Sequence, residues 1–205
     1  MDVSHALPVN HHADHPGFSG VTGLLFALIF LAIGRPKARL AVEVAGVSDG
    51  DRVVDIGCGP GSAVRQAARR GARVTGVDPS SAMLRVARAF TRHATGIEWA
   101  EGTAENVPVP DGSATVVWSL ATVHHWHDLD AGLDEVRRVL RPAGRFLAVE
   151  RRTVPGATGL ASHGWTDEQA DLFAERCRSV GFTDVAVDRH RSGRRQVLSV
   201  LAHAA

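Results

Sequence analysis

The 205-residue chain contains no tyrosine, a single lysine (Lys37) among its 23 basic residues, two cysteines and only 5% aromatic residues. Cys58 and Cys177 are too few for a disulfide framework or a four-cysteine zinc site, and a reducing, cytoplasmic setting fits them best. The 23 basic side chains face 22 acidic ones. With the arginines scattered rather than gathered into a basic stripe, this balance argues against a nucleic-acid binder. The longest uncharged apolar run, residues 21–33, has thirteen residues, whereas a membrane-spanning helix needs about 20. A signal peptide would carry positive charge before such a run. Here an acidic, histidine-bearing leader precedes it and Arg35-Pro36-Lys37 follows. The run therefore reads as a helix buried against the domain or a second copy, as a lid, or as a peripheral membrane contact, with no stable span. His11, His12 and His15 are near-adjacent in an aperiodic leader, and no metal site is assigned to them.

The length fits one domain, since domains usually run to about 100–200 residues. Residues 1–35 are expected to form a flexible leader plus an apolar lid or interface helix, and residues 36–205 the folded domain. Within that domain, hydrophobic periodicity alternates between strand and helix. Short apolar runs at 52–56, 73–77, 97–100, 115–120 and 145–150 read as strands. Helices are expected over 36–45, 61–70, 80–93 and 129–141, with Ala82, Val86 and Ala89 sharing one face of the third and Pro142-Ala143-Gly144 breaking the fourth. Thr166, with Gln169 three residues later, has the form of a capping box opening a helix to about 180. Two strands, 182–188 and 196–202, close the chain without a helix between them, so they should be antiparallel. Strands alternating with helices make an α/β fold, a mostly parallel sheet covered on both faces.

In such sheets ligands bind beyond the carboxyl ends of the strands. The first strand runs into Asp55-Ile56-Gly57-Cys58-Gly59-Pro60-Gly61. Closely spaced glycines let backbone pass under a ligand and lead into a helix N-terminus. A dinucleotide loop, G-x-G-x-x-G, would need glycine at Ser62, whereas the third glycine here comes one position early. Asp55 would repel a pyrophosphate and favour a cationic ligand. S-adenosylmethionine, with an ammonium and a sulfonium and no phosphate, satisfies both points.

Val53-Val54-Asp55-Ile56-Gly57-Cys58-Gly59-Pro60-Gly61 resembles motif I of the class I S-adenosylmethionine-dependent methyltransferases, and Val74-Thr75-Gly76-Val77-Asp78-Pro79 resembles their second cofactor segment. Gly102-Thr103-Ala104-Glu105-Asn106-Val107-Pro108 is similar to their adenine-contacting segment. The stretch from Pro110 through His124-His125-Trp126, with Glu135-Val136-Arg137-Arg138-Val139-Leu140-Arg141-Pro142, is similar to the type 11 branch related to quinone-biosynthesis enzymes. The resemblance covers about residues 36–203. It implies a Rossmann-like sheet of seven strands in the order 3-2-1-4-5-7-6, with the last strand antiparallel, and S-adenosylmethionine as cofactor, leaving S-adenosylhomocysteine. It also implies cofactor contacts from Asp55, Gly57, Cys58, Gly59 and Gly61. Asp78 would take the ribose hydroxyls, with Pro79 beside it, and Met83 would lie on the adenine. Thr103, Ala104, Glu105 and Leu120 complete the set. Two departures stand out: Thr103 where the family usually has Asp, and Ala114-Thr115 where it usually has Phe-Asp.

The implied activity is methyl transfer to a small molecule, with an apolar acceptor and a homodimer both left open and no nucleic-acid partner. A base is needed only where the acceptor carries a proton. Candidates are His125 and His124 after the fourth strand, with His127 and Glu150 on the substrate side. Glu150 could instead pair with Arg151 or Arg152. Cys58 reads as a small packing residue, and Trp165 and Phe173 as core or interface. Two alternatives remain: an NAD(P)-dependent oxidoreductase, and a cofactor-binding regulator without catalysis.

Overall fold

The computed structural model describes residues 34–205, so residues 1–33 of the leader and apolar segment expected over 1–35, with the four histidines His5, His11, His12 and His15, lie outside the described residues. Helix α1 (Arg35–Val44) has Pro36 in its first turn, where a missing N–H costs nothing. Strand β1 (Arg52–Ile56), helix α2 (Ser62–Ala68), strand β2 (Arg73–Asp78), helix α3 (Ser81–Thr91) and strand β3 (Ile97–Glu101) follow. Strand β4 (Ala114–Leu120) leads through a short 3-10 turn, Val123–His125, into helix α4 (Leu129–Val139). Strand β5 (Leu140–Arg151), helix α5 (Asp167–Ser179) and the hairpin β6 (Phe182–Ser192) and β7 (Arg195–Ala204) complete the chain.

The seven strands lie in the order β3-β2-β1-β4-β5-β7-β6. β7 runs antiparallel to both neighbours and the other pairings are parallel, as expected. Alternate strand residues feed two cores. Val54, Ile56, Val117, Phe146 and Ala148 pack under α4 and α5 with Leu133, Val136, Trp165 and Phe173. Val53, Val116, Trp118, Leu147 and Val149 pack under α1 to α3 with Ala41, Val64, Ala67 and Leu84. Trp165 and Phe173 are thus core residues. Thr166 and Gln169 form the expected capping box.

Three expectations are corrected. Helix α2 is shorter than 61–70, because Gly61 takes a left-handed φ of 79° and cannot be its first helical residue. In α3, Ala89 is exposed, while Leu84, Ala87 and Thr91 are buried. Pro142-Ala143-Gly144 does not separate α4 from β5. Leu140 already pairs with Ala114, and the chain bulges through Ala143 (φ 59°) before Arg145 pairs with Val116.

Candidate cofactor and acceptor site

The loop after β1 is pinned to the end of β2. Gly57 and Cys58 both donate their amide hydrogens to the Val77 carbonyl, at 2.8 and 3.0 Å. Gly59 donates to Oδ2 of Asp78 at 2.7 Å, and Ser80 donates to its Oδ1 at 2.9 Å. Burial raises the Asp78 carboxyl, and these two amides oppose the rise by favouring the anion. Each carboxylate oxygen has a second lone-pair direction, so Asp78 keeps capacity for a pair of hydroxyl donors.

The glycines are steric requirements of two kinds. A Cβ at Gly57 would lie 2.6 Å from Thr122, and one at Gly61 would lie 2.2 Å from the Trp99 indole. Gly59 (φ 52°) has nothing within 4 Å of that position, which leaves space over the loop. This open, glycine-walled cradle beside a buried carboxylate is what a nucleoside bearing a cationic tail requires. The residues present therefore fit S-adenosylmethionine.

Asp55 lies beneath the loop, 2% exposed, with its Oδ2 buried and without a hydrogen-bond partner. Burial pushes its carboxyl up to about 8, the nearby Trp118 indole opposes the rise and the charge of Asp78 adds to it. A cation arriving above it would supply the missing stabilisation of the anion. Cys58 is buried, and burial takes its thiol well above the ordinary range, so it is an inert packing group.

The remaining cofactor candidates lie on four separate segments. Met83 packs with Val86, Pro79 is exposed at the end of β2, and Leu120 ends β4 half-buried. Thr103 and Ala104 lie on a segment tied to α4: Glu135 accepts the Val107 amide at 2.8 Å, and Arg138 donates to the carbonyls of Val107 and Val109 at 2.7 and 2.9 Å. Glu105 is engaged elsewhere, since its Oε1 accepts the backbone amides of His127 at 2.7 Å and Asp128 at 3.2 Å. The expected substrate residue His127 thereby anchors the loop before α4 through its backbone, with its ring exposed. Thr115 is hydrogen-bonded to Asp51 at 2.6 Å and accepts the Arg52 amide at 2.9 Å, at the opposite end of β4 from the cradle. That departure from the family pattern does not reach the ligand edge.

On the acceptor side, Ala121 turns the chain at a left-handed φ of 63°. Thr122 then donates to the Ile56 carbonyl at 3.0 Å. Nδ1 of His124 lies 3.0 Å from both carboxylate oxygens of Glu150. Glu150 is fully buried and pairs with neither neighbouring arginine; Arg152 bonds Asp167 instead. The rings of His125 and His163 stand 4.1 and 5.4 Å from that of His124. Burial alone would lower the His124 pKa, but the charge and hydrogen bond of Glu150 outweigh it and hold it above the ordinary value, against an opposing push from Lys37. Burial likewise opposes ionisation of Glu150, yet His124 and Lys37 hold its carboxyl below the usual range.

Sequence reasoning did not single out Trp99, Thr122, Lys37 or His163. Gly76 inside β2 is the signal for Trp99, because a Cβ there would lie 2.5 Å from that indole. Among the described residues no helix is long and apolar enough to cross a membrane, and no cluster of three or more potential ligands could hold a metal ion.

Comparison with known proteins agrees with this geometry. A family profile described as a methyltransferase domain matches residues 54–148. The 27-O-demethylrifamycin SV methyltransferase of Amycolatopsis mediterranei is 37% identical over 158 residues, 73% of this chain and 54% of that protein. The ubiquinone/menaquinone biosynthesis C-methyltransferase of Rubrivivax gelatinosus is 34% identical over 130 residues, 63% of this chain and 51% of that one. The chain thus spans about half the length of these curated relatives. A methyltransferase structure from Aquifex aeolicus superposes over the whole of both chains with a TM-score of 0.70 at 16% identity, a likeness of fold. The glycine cradle, the acid closing β2 and these matches together place the chain in the class I S-adenosylmethionine-dependent methyltransferases, in the type 11 branch that includes the quinone-biosynthesis enzymes.

Proposed function

We propose that the protein transfers the methyl group of S-adenosylmethionine to a small-molecule acceptor at the carboxyl edge of the sheet. The observation that carries this reading is the open cradle over Gly59, closed on one side by Asp78. The loop from Gly57 to Gly61 would run under the methionyl part and Asp78 would take the ribose. Met83 and the Thr103-Ala104 segment would flank the adenine. When bound, the cofactor supplies a methyl group already activated on a sulfonium, so the protein's main task is to orient the acceptor and exclude water.

Relatives named for rifamycin, quinone and fatty-acid methylation support a small acceptor. The apolar run at residues 21–33 supports one with apolar surface. Two buried, unpaired cysteines support a reducing cytoplasm. The oxidoreductase alternative lacks support from either the loop spacing or the family matches. The test is S-adenosylhomocysteine formation, followed by mass spectrometry, across a panel of hydroxyl, amine, thiol and enol acceptors. Turnover of any member sustains the reading. Tight S-adenosylhomocysteine binding with no turnover across the panel would favour a cofactor-binding regulator.

A further inference from the structure

We infer that His124 is the proton acceptor of this site, positioned by Glu150, and that the acceptor group is a hydroxyl that must lose its proton on methylation. This rests on the methyltransferase reading above and deepens it. His124 follows β4 and Glu150 closes β5, so both stand at the carboxyl edge where ligands of such sheets bind.

The carboxylate lies 3.0 Å from Nδ1 through both of its oxygens and is fully buried. An ionised carboxylate only accepts, so Nδ1 must carry the proton and Nε2 is the basic nitrogen. This is the general pattern of a histidine base oriented by a buried acid. It selects His124 over His125, whose residue is exposed.

The surrounding charges choose the acceptor. Lys37 from α1, His125 from the same turn and His163 from the segment before α5 surround the pair; burial lowers the Lys37 pKa, the charge of Glu150 opposes the fall and Arg195 of β7 adds to it. Among the described residues, the carboxylate in contact with His124 is that of Glu150. Such a set repels an ammonium and stabilises an oxygen on which negative charge develops. His124 takes the hydroxyl proton at Nε2 as the acceptor oxygen bonds to the methyl carbon. The carbon–sulfur bond breaks with its electron pair going to sulfur, so the sulfonium becomes a neutral thioether. The proton remains on the His124 imidazolium, paired with Glu150, until solvent removes it.

The test is a nitrogen-15 NMR titration of the imidazoles in the full chain, with and without S-adenosylhomocysteine. It compares wild type with Glu150→Gln and Glu150→Asp, with His124→Asn identifying the signal and thermal unfolding checking that each variant is folded. Wild-type His124 should titrate above the ordinary value, with Nδ1 protonated in its neutral form. Glu150→Gln should lower that titration by about one pH unit or more, and Glu150→Asp should restore most of it. Equal titration in wild type and Glu150→Gln, or a neutral form protonated at Nε2, overturns the assignment.

S-adenosylhomocysteine affinity reads the cofactor site separately and should stay within about twofold in Glu150→Gln. No binding by wild type would fail the methyltransferase reading, and the acceptor role with it, even where the His124–Glu150 titration is as expected. With S-adenosylmethionine supplied, paired hydroxyl and amine acceptors of one ring scaffold should give turnover of the hydroxyl members. Turnover of the amines alone, or of neither, overturns the choice of a hydroxyl.

Discussion

Asp78 accepts the Gly59 amide hydrogen at 2.7 Å, so the acid that closes β2 also shapes the loop that closes β1. One carboxylate therefore holds the cradle, and in the proposed reading it would also take the ribose. Asp78→Ala should lose both roles. Asp78→Asn should lose part of them, because a carboxamide has one acceptor oxygen for two backbone donors. Charge-assisted hydrogen bonds contribute about 1.5–3 kcal/mol each. S-adenosylhomocysteine affinity measured by calorimetry should accordingly fall about 10- to 100-fold in Asp78→Asn and further in Asp78→Ala.

Asp55 should link cofactor binding to pH. Its folded-state carboxyl is raised from 3.8 to about 8, so the folded protein keeps a proton that the unfolded chain releases. Stability should then fall as pH rises from about 4 towards 8. Asp55→Asn should flatten that slope and raise Tm at pH 8. The same variant should bind S-adenosylmethionine more weakly, because the cation loses its anion. Wild-type affinity should climb by up to about tenfold per pH unit below pH 8, and the variant's should not.

Two loop glycines should fail in different ways. Gly59→Ala meets no neighbour and should cost about 1 kcal/mol of stability from its left-handed φ, while its methyl group occupies the cradle and weakens cofactor binding. Gly61→Ala meets both a left-handed φ and the Trp99 indole, and should cost about 2–4 kcal/mol. Urea denaturation beside S-adenosylhomocysteine titration separates the two. Equal stabilities would contradict the contact at Trp99.

Arg138 joins α4 to the segment bearing Thr103 and Ala104. It donates to Glu135 through Nε at 2.6 Å and Nη2 at 2.8 Å, and also to the carbonyls of Val107 and Val109. A lysine there keeps the charge and loses the planar fork. Arg138→Lys should cost about 1–3 kcal/mol in urea denaturation and weaken S-adenosylhomocysteine binding through the displaced segment.

The sheet was legible because β1, β4 and the 145–150 part of β5 are short apolar runs, and because the glycine loop follows β1 directly. The sequence could not reveal pairings between residues distant along the chain. Nothing local to Glu150 distinguishes His124 from Arg151 or Arg152 as its partner; only the approach of the β4 turn to the end of β5 decides it. Thr115 reads as a defect beside the family pattern, yet its bond to Asp51 puts it at the far end of the strand. The face of α3 was misread at Ala89, since small residues occur on both sides of that helix. The bulge at Ala143 was hidden because proline and glycine serve a helix stop and a bulge equally well.

The central claim is tested most directly by calorimetric titration of the full chain with S-adenosylhomocysteine and, separately, with NADH. Wild type and Asp78→Ala should be measured side by side. Saturable binding of S-adenosylhomocysteine by wild type, lost in Asp78→Ala and absent for NADH, is the expected result. Binding of NADH alone, or S-adenosylhomocysteine binding indifferent to Asp78, would contradict the site described.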